Sequence, residues 1–199
     1  PIRLLLNYEM GLIRLETPFP VNEVKPRYPW LSSLEPEEHL DELVSTITCL
    51  PNISTESIFA AYSYKEDSTL ERLKTSGFNK VWRINPEKDL LLFDPCSDLE
   101  TFQNHLTVDN IQNIRARHGR ADVFIVRHAI EHAYDLPQFV SSIRAMTKPD
   151  GYIVWEIPDC SRALGLGDCS ILWEEHTYYF TEFTFKQLLL SLGLEVVYY

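Results

Sequence analysis

Between Ala121 and Pro158 the hydrophobic pattern changes period twice. Asp122 to Val126 is a short, nearly unbroken apolar run, the pattern of a strand buried on both faces. Asp135 followed by Gln138 resembles a capping box, and Pro137 falls in the first turn, where its missing N–H costs nothing. Leu136, Phe139, Val140, Ile143 and Met146 then recur at helical spacing on one face. Pro149-Asp150-Gly151 marks a turn, and Tyr152 to Ile157 is a second apolar run. Strand, helix and strand at this spacing predict a parallel crossover. The polar segment Arg127–Tyr134 follows the first strand, where open α/β sheets hold their ligands.

The rest of the chain reads as an alternation of the same kind. Pro1 to Pro36 holds five prolines from Pro18 onward and no clean period, which predicts an extended or irregular arm. A helix is expected from Pro36 to Pro51, with Leu40, Leu43, Val44 and Ile47 inward. Ile58–Tyr62 is the first strand. Ser68 and Glu71 match a capping box for a helix over Thr69–Ser76 that ends at Gly77. Lys80–Ile84 is the second strand, and residues 87–98 fit either a helical turn or a short strand at Leu90–Phe93. Leu99–Gln103 is read as the third strand, and Thr107 caps a helix running to Gly119. Residues 160–173, with Gly165 and Gly167, form a loop placed to cover a substrate. Glu182–Leu192 is an amphipathic helix, and Leu194–Tyr199 a final strand. Tyr178, Tyr179 and Phe180 are expected in the core or at a sheet edge.

Composition narrows the class. A length of 199 residues suits one domain with a real core, and 45% hydrophobic with 24% charged residues is ordinary for a globular protein. The net charge of −11 argues against a nucleic-acid binder, which needs clustered Lys and Arg. No apolar run is long enough for a membrane span, and no signal peptide is visible. Cys49, Cys96, Cys160 and Cys169 are scattered without a CxxC, so reduced thiols in the cytoplasm are expected and structural zinc is not.

Several segments together carry a family resemblance. A strand followed by a polar loop closing on Glu131-His132, then a helix, Lys148-Pro149-Asp150-Gly151 and an apolar strand, resembles the class I S-adenosylmethionine (SAM)-dependent methyltransferases. Glu175-His176-Thr177-Tyr178-Tyr179-Phe180, followed by a helix and Gly193-Leu194-Glu195-Val196-Val197, resembles their sugar C-methyltransferase branch. The resemblance covers roughly Ser57 to the end, with a weaker echo at Asn7–Ile13. It implies a three-layer αβα, Rossmann-like sheet in the order 3-2-1-4-5-7-6, here without the last strand. It divides the chain into an arm over 1–36, a remnant of a zinc-binding segment or a plain β-like arm, and a methyltransferase-like domain over 37–199. At the arm, Asn7 and Met10 stand where the branch has C-x-x-C, so no metal ligand is assigned.

The resemblance further implies C-methylation of a small keto, sugar-like substrate, with His176 as base and Glu175 orienting it. It places SAM against Tyr62, Tyr64, Asp67, Asn85, Asn104, Arg127 and His128. The expected partner is a small methyl acceptor or a protein, a second copy of the chain included, with no nucleic acid and no membrane. The cofactor motif departs from its relatives. Tyr62-Ser63-Tyr64-Lys65-Glu66-Asp67-Ser68 aligns with E-I-G-x-N-D-G and keeps only Asp67; both glycines, which let the backbone approach a ligand, are replaced. Asn85 stands for the acid that takes the ribose hydroxyls, and it offers a weaker, uncharged acceptor. The segment Trp173-Glu174-Glu175-His176 departs from Y-H-E-H at its first two positions. A catalytically inactive domain of this fold, acting as a binding or regulatory partner, is the alternative. His128 and His132 flank Glu131 at helical spacing, but not in the order of a zinc-protease helix, and the loop-lining role is preferred.

Overall fold

A computed structural model describes residues 2–28 and 36–199, so Pro1 and residues 29–35 of the expected arm lie outside it. Its centre is a four-stranded parallel sheet. The strands are β3 (Phe59–Ala61), β4 (Val81–Arg83), β5 (Ala121–Arg127) and β6 (Thr147–Glu156), in the order β4-β3-β5-β6. Every one of Phe59–Ala61 and Val123–Val126 is fully buried, as two-sided burial requires. This is the 2-1-4-5 centre of the expected order. Helix α2 (Leu40–Thr48) and helix α3 (Asp67–Thr75) contribute to one apolar layer with Val44, Ile47, Leu70 and Leu73. On the other layer lie α5 (Leu99–Asn104), α6 (Val108–His118), α7 (Leu136–Met146) and α9 (Glu182–Ser191), which bury Phe102, Ile114, Phe139, Ile143 and Leu188. The cap of α7 is as expected, with the Asp135 side chain accepting from the Gln138 N–H at 3.0 Å.

The described part of the arm, residues 2–28, carries more regular structure than its prolines suggest. β1 (Leu4–Leu6) and β2 (Ile13–Leu15) form an antiparallel hairpin, β2 pairs with β7 (Tyr178–Tyr179), and a single helical turn, α1 (Val21–Val24), follows the hairpin. At its turn the Asn7 side chain accepts from the Glu9 and Met10 N–H groups, and Gly11 takes φ +70°. Met10 packs on the core. The two positions that hold thiols in the resembling branch therefore shape a turn and fill a core gap. β7 also brings the Glu175-His176 segment to the mouth of the parallel sheet.

Four expectations are corrected. Leu99–Gln103 is not a strand but the helix α5, capped by Asp98; Leu99 and Phe102, three apart, are buried on one helix face. The capping box is not Ser68/Glu71 but Ser63/Glu66, five residues earlier, on a single 3-10 turn over Tyr64–Glu66. Leu194–Tyr199 is irregular, with Leu194 and Val196 packed against the core, and pairs with no strand among the described residues. Helix α2 starts at Leu40 rather than Pro36, with His39 at the N-cap position and no side-chain cap. The ambiguous segment resolves as a helix, α4 (Pro86–Leu90), ended by Leu91 at φ +57°. The expected covering loop is partly helical, with α8 (Ser161–Leu166) closed by Gly167 at φ +66°.

Gly151 is where β5 and β6 come closest. The register jumps from Ala121↔Thr147 to Val123↔Tyr152, and a Cβ at Gly151 would stand 2.8 Å from the Asp122 carbonyl oxygen and 2.9 Å from Thr147 Cγ2. Gly151→Ala is expected to cost about 1–3 kcal/mol by overpacking. Gly165→Ala, which meets open space, serves as control in the same urea titration. Equal stability of the two variants would show that the strands separate freely there.

Candidate functional site

At the carboxyl ends of β3 and β5, where the sequence places the cofactor, buried side chains of the chain itself meet. Tyr62 follows β3 fully buried; its hydroxyl donates to the Leu99 carbonyl at 3.0 Å and its ring stacks edge-on against Phe102 and Phe139. In the next turn the Ser63 N–H and Oγ both donate to Glu66 Oε2, at 2.7 and 3.0 Å, and the Lys65 N–H donates to Ser63 Oγ. Glu66 Oε1 accepts the Arg127 N–H at 2.6 Å, and the carboxylate is completely buried. Burial pushes Glu66 up to about 7, against the pull of its hydrogen bonds from Arg127 and Ser63.

Arg127 and His128 do not face an open cleft. The Arg127 guanidinium is buried at 1% exposure; Nε donates to Glu156 Oε2 at 2.6 Å and a terminal nitrogen donates to the Lys65 carbonyl at 2.6 Å. His128, at φ +46°, places Nε2 2.8 Å from Glu156 Oε1, and His39 reaches Glu156 Oε2 at 3.2 Å. A non-glycine residue in that left-handed region persists only where its surroundings hold it, and this cluster does so. Burial alone would raise Glu156. The hydrogen bonds from His128, Arg127 and His39 outweigh it and hold the carboxyl far below the usual range.

Asp67 pairs with Arg83 at 2.8 Å. The Asn85 side chain caps α4 by accepting from the Lys88 N–H. Asn104 is exposed at the end of α5, and Tyr64 lies half-buried in the 3-10 turn. The structure thus gathers Tyr62, Tyr64, Arg127 and His128 around one turn, and leaves Asn104 on the surface.

The residues present do not fit SAM as they stand. The Ser63, Lys65 and Arg127 amides are taken by Glu66 and Ser63 Oγ, no glycine lets the backbone approach, and a buried glutamate crosses the turn. Glu66 was missed in the sequence although its signal was there: Ser63-x-x-Glu66 is the same capping pattern that Ser68-x-x-Glu71 offers.

A second polar cluster lies beside this one. Glu131 and His132 sit in a 3-10 turn over Ile130–His132, and His176 comes from the segment before β7. The His132 and His176 rings meet edge to face at 4.8 Å, and Trp173 stacks over His176 at 6.0 Å. His132 Nδ1 approaches Glu100 Oε1 to 2.7 Å, a close ion pair whose N–H points off the line of a full hydrogen bond. Burial would lower His132, but Glu100 and Glu131 outweigh it and raise the ring. Burial, and then the charge on His132, press His176 down to about 4, so it is neutral near pH 7. Glu175 is raised by burial and by Glu100. Gln103 holds the loop in place, donating to the His132 carbonyl at 3.0 Å and accepting from the Tyr134 N–H at 3.1 Å. Neither Glu100 nor Gln103 carries a sequence signal; both lie in the segment misread as a strand.

All four cysteines are free, and no described helix is long and apolar enough to cross a membrane. Among known proteins, the C-methyltransferase NovU of Streptomyces niveus is 24% identical over 203 residues, covering 92% of this chain. The chain spans 48% of that relative's length. The profile of a methyltransferase-domain family matches residues 69–199, which takes in β4, β5, β6 and the helices around them. Proteins of this family generally use SAM. With a parallel α/β sheet of the right central order and a match over most of its length, the chain belongs to the methyltransferase-domain family.

Proposed function

We propose that this chain is a methyltransferase-fold domain that works as a non-catalytic binding partner in a protein assembly. The observation that carries this reading is the filled turn after β3. Glu66 takes the Ser63 and Arg127 amides, and Arg127 in turn is locked on Lys65 and Glu156. Opening it for a ligand would leave buried donors unpaired, a cost of the order of a lost hydrogen bond for each. Calorimetric titration with SAM, and separately with S-adenosylhomocysteine, is expected to give no heat and no thermal shift at millimolar ligand. Micromolar binding of either would overturn the reading.

A second reading, C-methylation of a keto, sugar-like substrate, is favoured by the neutral His176 beside Glu175 and by the likeness to a C-methyltransferase. A base near 4 is poorly matched to removing a proton from carbon at neutral pH, where the best catalytic pKa lies near the working pH. Should SAM bind, keto-sugar acceptors with a His176→Ala control test this second reading, which fails if no acceptor is methylated or if the variant keeps full activity.

A further inference from the structure

The Glu131-His132-His176 cluster has the make-up of a metal site. One carboxylate oxygen of Glu131 and one ring nitrogen from each histidine all lie within 4.8 Å of one another. Glu131 is 1% exposed, and its Oε2 is buried without a hydrogen-bond partner. An ionisable oxygen in that condition is costly and calls for a water or an ion. Its other oxygen stands 3.5 Å from His128 Nδ1, too far to compensate.

The surroundings are those of a metal-binding histidine. Glu100 at His132 Nδ1 leaves Nε2 as the coordinating nitrogen, and a carboxylate behind a histidine is the usual outer support of a ligand. Two histidines and one glutamate suit zinc or a similar divalent transition ion, and leave positions open for water or a fourth group. Around such an ion, ligand atoms about 2.0–2.2 Å from the metal stand roughly 3.5 Å apart, so the three must close by about 1 Å. His176 can supply that movement, because it lies in an irregular segment rather than in a helix or strand.

We propose that Glu131, His132 and His176 bind one divalent transition-metal ion, with Glu100 positioning His132. The proposal does not depend on whether SAM binds, and it excludes His176 as a free base while the ion is held.

The test is titration of the full chain with Zn²⁺ by calorimetry, and with Co²⁺ by visible absorption. One equivalent should bind, and the Co²⁺ spectrum should show nitrogen and oxygen ligation without a thiolate charge-transfer band. Tryptophan emission should change on binding because Trp173 stacks on His176, and Trp173→Phe should abolish that change while keeping the stoichiometry. Glu100→Gln should weaken binding by about 10–100-fold, and His176→Ala by more than that. Absence of stoichiometric binding overturns the proposal. So does binding that survives both His176→Ala and Glu131→Gln, or a thiolate spectrum, since either would put the ion on other residues. If a variant fails to fold, the wild-type Co²⁺ spectrum and the Trp173→Phe comparison still decide.

Discussion

Glu156→Ala is expected to lower the unfolding free energy by about 3–5 kcal/mol, the usual result of stripping the partner from a buried charge. Arg127 is 1% exposed, and its Nε and a second nitrogen both use Glu156; the Lys65 carbonyl alone cannot compensate for the loss. His128 would also lose the contact that holds it at φ +46°. The double variant Arg127→Met, Glu156→Leu should recover most of the loss, since an apolar replacement of similar volume removes the charge together with its partner. Urea denaturation of the three proteins measures this. A loss below about 1 kcal/mol would mean that water reaches Arg127 and treats the pair as an exposed one. The same carboxylate sets the acid limit. Its folded pKa lies below its unfolded value of about 4.3, so its contribution is full above that pH and is lost as pH falls below it. Glu156→Gln should flatten that acid limb.

The second large effect is expected from Glu66→Ala, at about 2–4 kcal/mol, because it leaves the Ser63 N–H, the Ser63 hydroxyl and the Arg127 N–H buried without acceptors. Here the pH dependence has the opposite sign. Burial raises Glu66 from an unfolded value of about 4.3 to about 7, so the folded state binds the extra proton between those values. Its contribution is complete below about 4.3 and is lost as pH rises through about 7. Together the two carboxyls contribute most near their unfolded value of about 4.3, and their joint contribution falls on both sides. Glu66→Gln should remove the fall on the alkaline side and leave the acid limb in place. If stability in the wild type instead rises steadily from pH 5 to pH 8, the Glu66 carboxyl ionises in the folded protein without cost.

Much of the fold was legible because the strands and helices in question carry unmixed periods. The apolar run ending at Val126, the spacing from Leu136 to Met146 and the caps Asp135 and Thr107 each point to one structure, and tertiary packing agrees with them. The misreading of Leu99–Gln103 has a plain cause: a third strand is expected there, although Leu99 and Phe102, three apart, share a helix face and not a strand face, and Asp98 caps the helix. The capping boxes Ser63/Glu66 and Ser68/Glu71 are equivalent as letters. Only the burial of Glu66 against Arg127, 61 residues on, selects the first. A local pattern cannot carry that choice, because the deciding bond is not local.

The sequence by itself determined the family, the alternation of the parallel sheet and the loss of the glycines that would admit a cofactor. Tertiary structure alone decided what stands in the vacated turn: a buried glutamate tied to the strand next door, with Arg127 and His128 turned onto Glu156 instead of outward. It also decided that His176 meets Glu131 and His132, since β7 reaches the mouth of the parallel sheet by pairing with the amino-terminal hairpin. Spacing along a chain fixes which residues share a strand or a helix face. Which charges meet across the gap between loops depends on how those elements pack, and that is written in no single stretch.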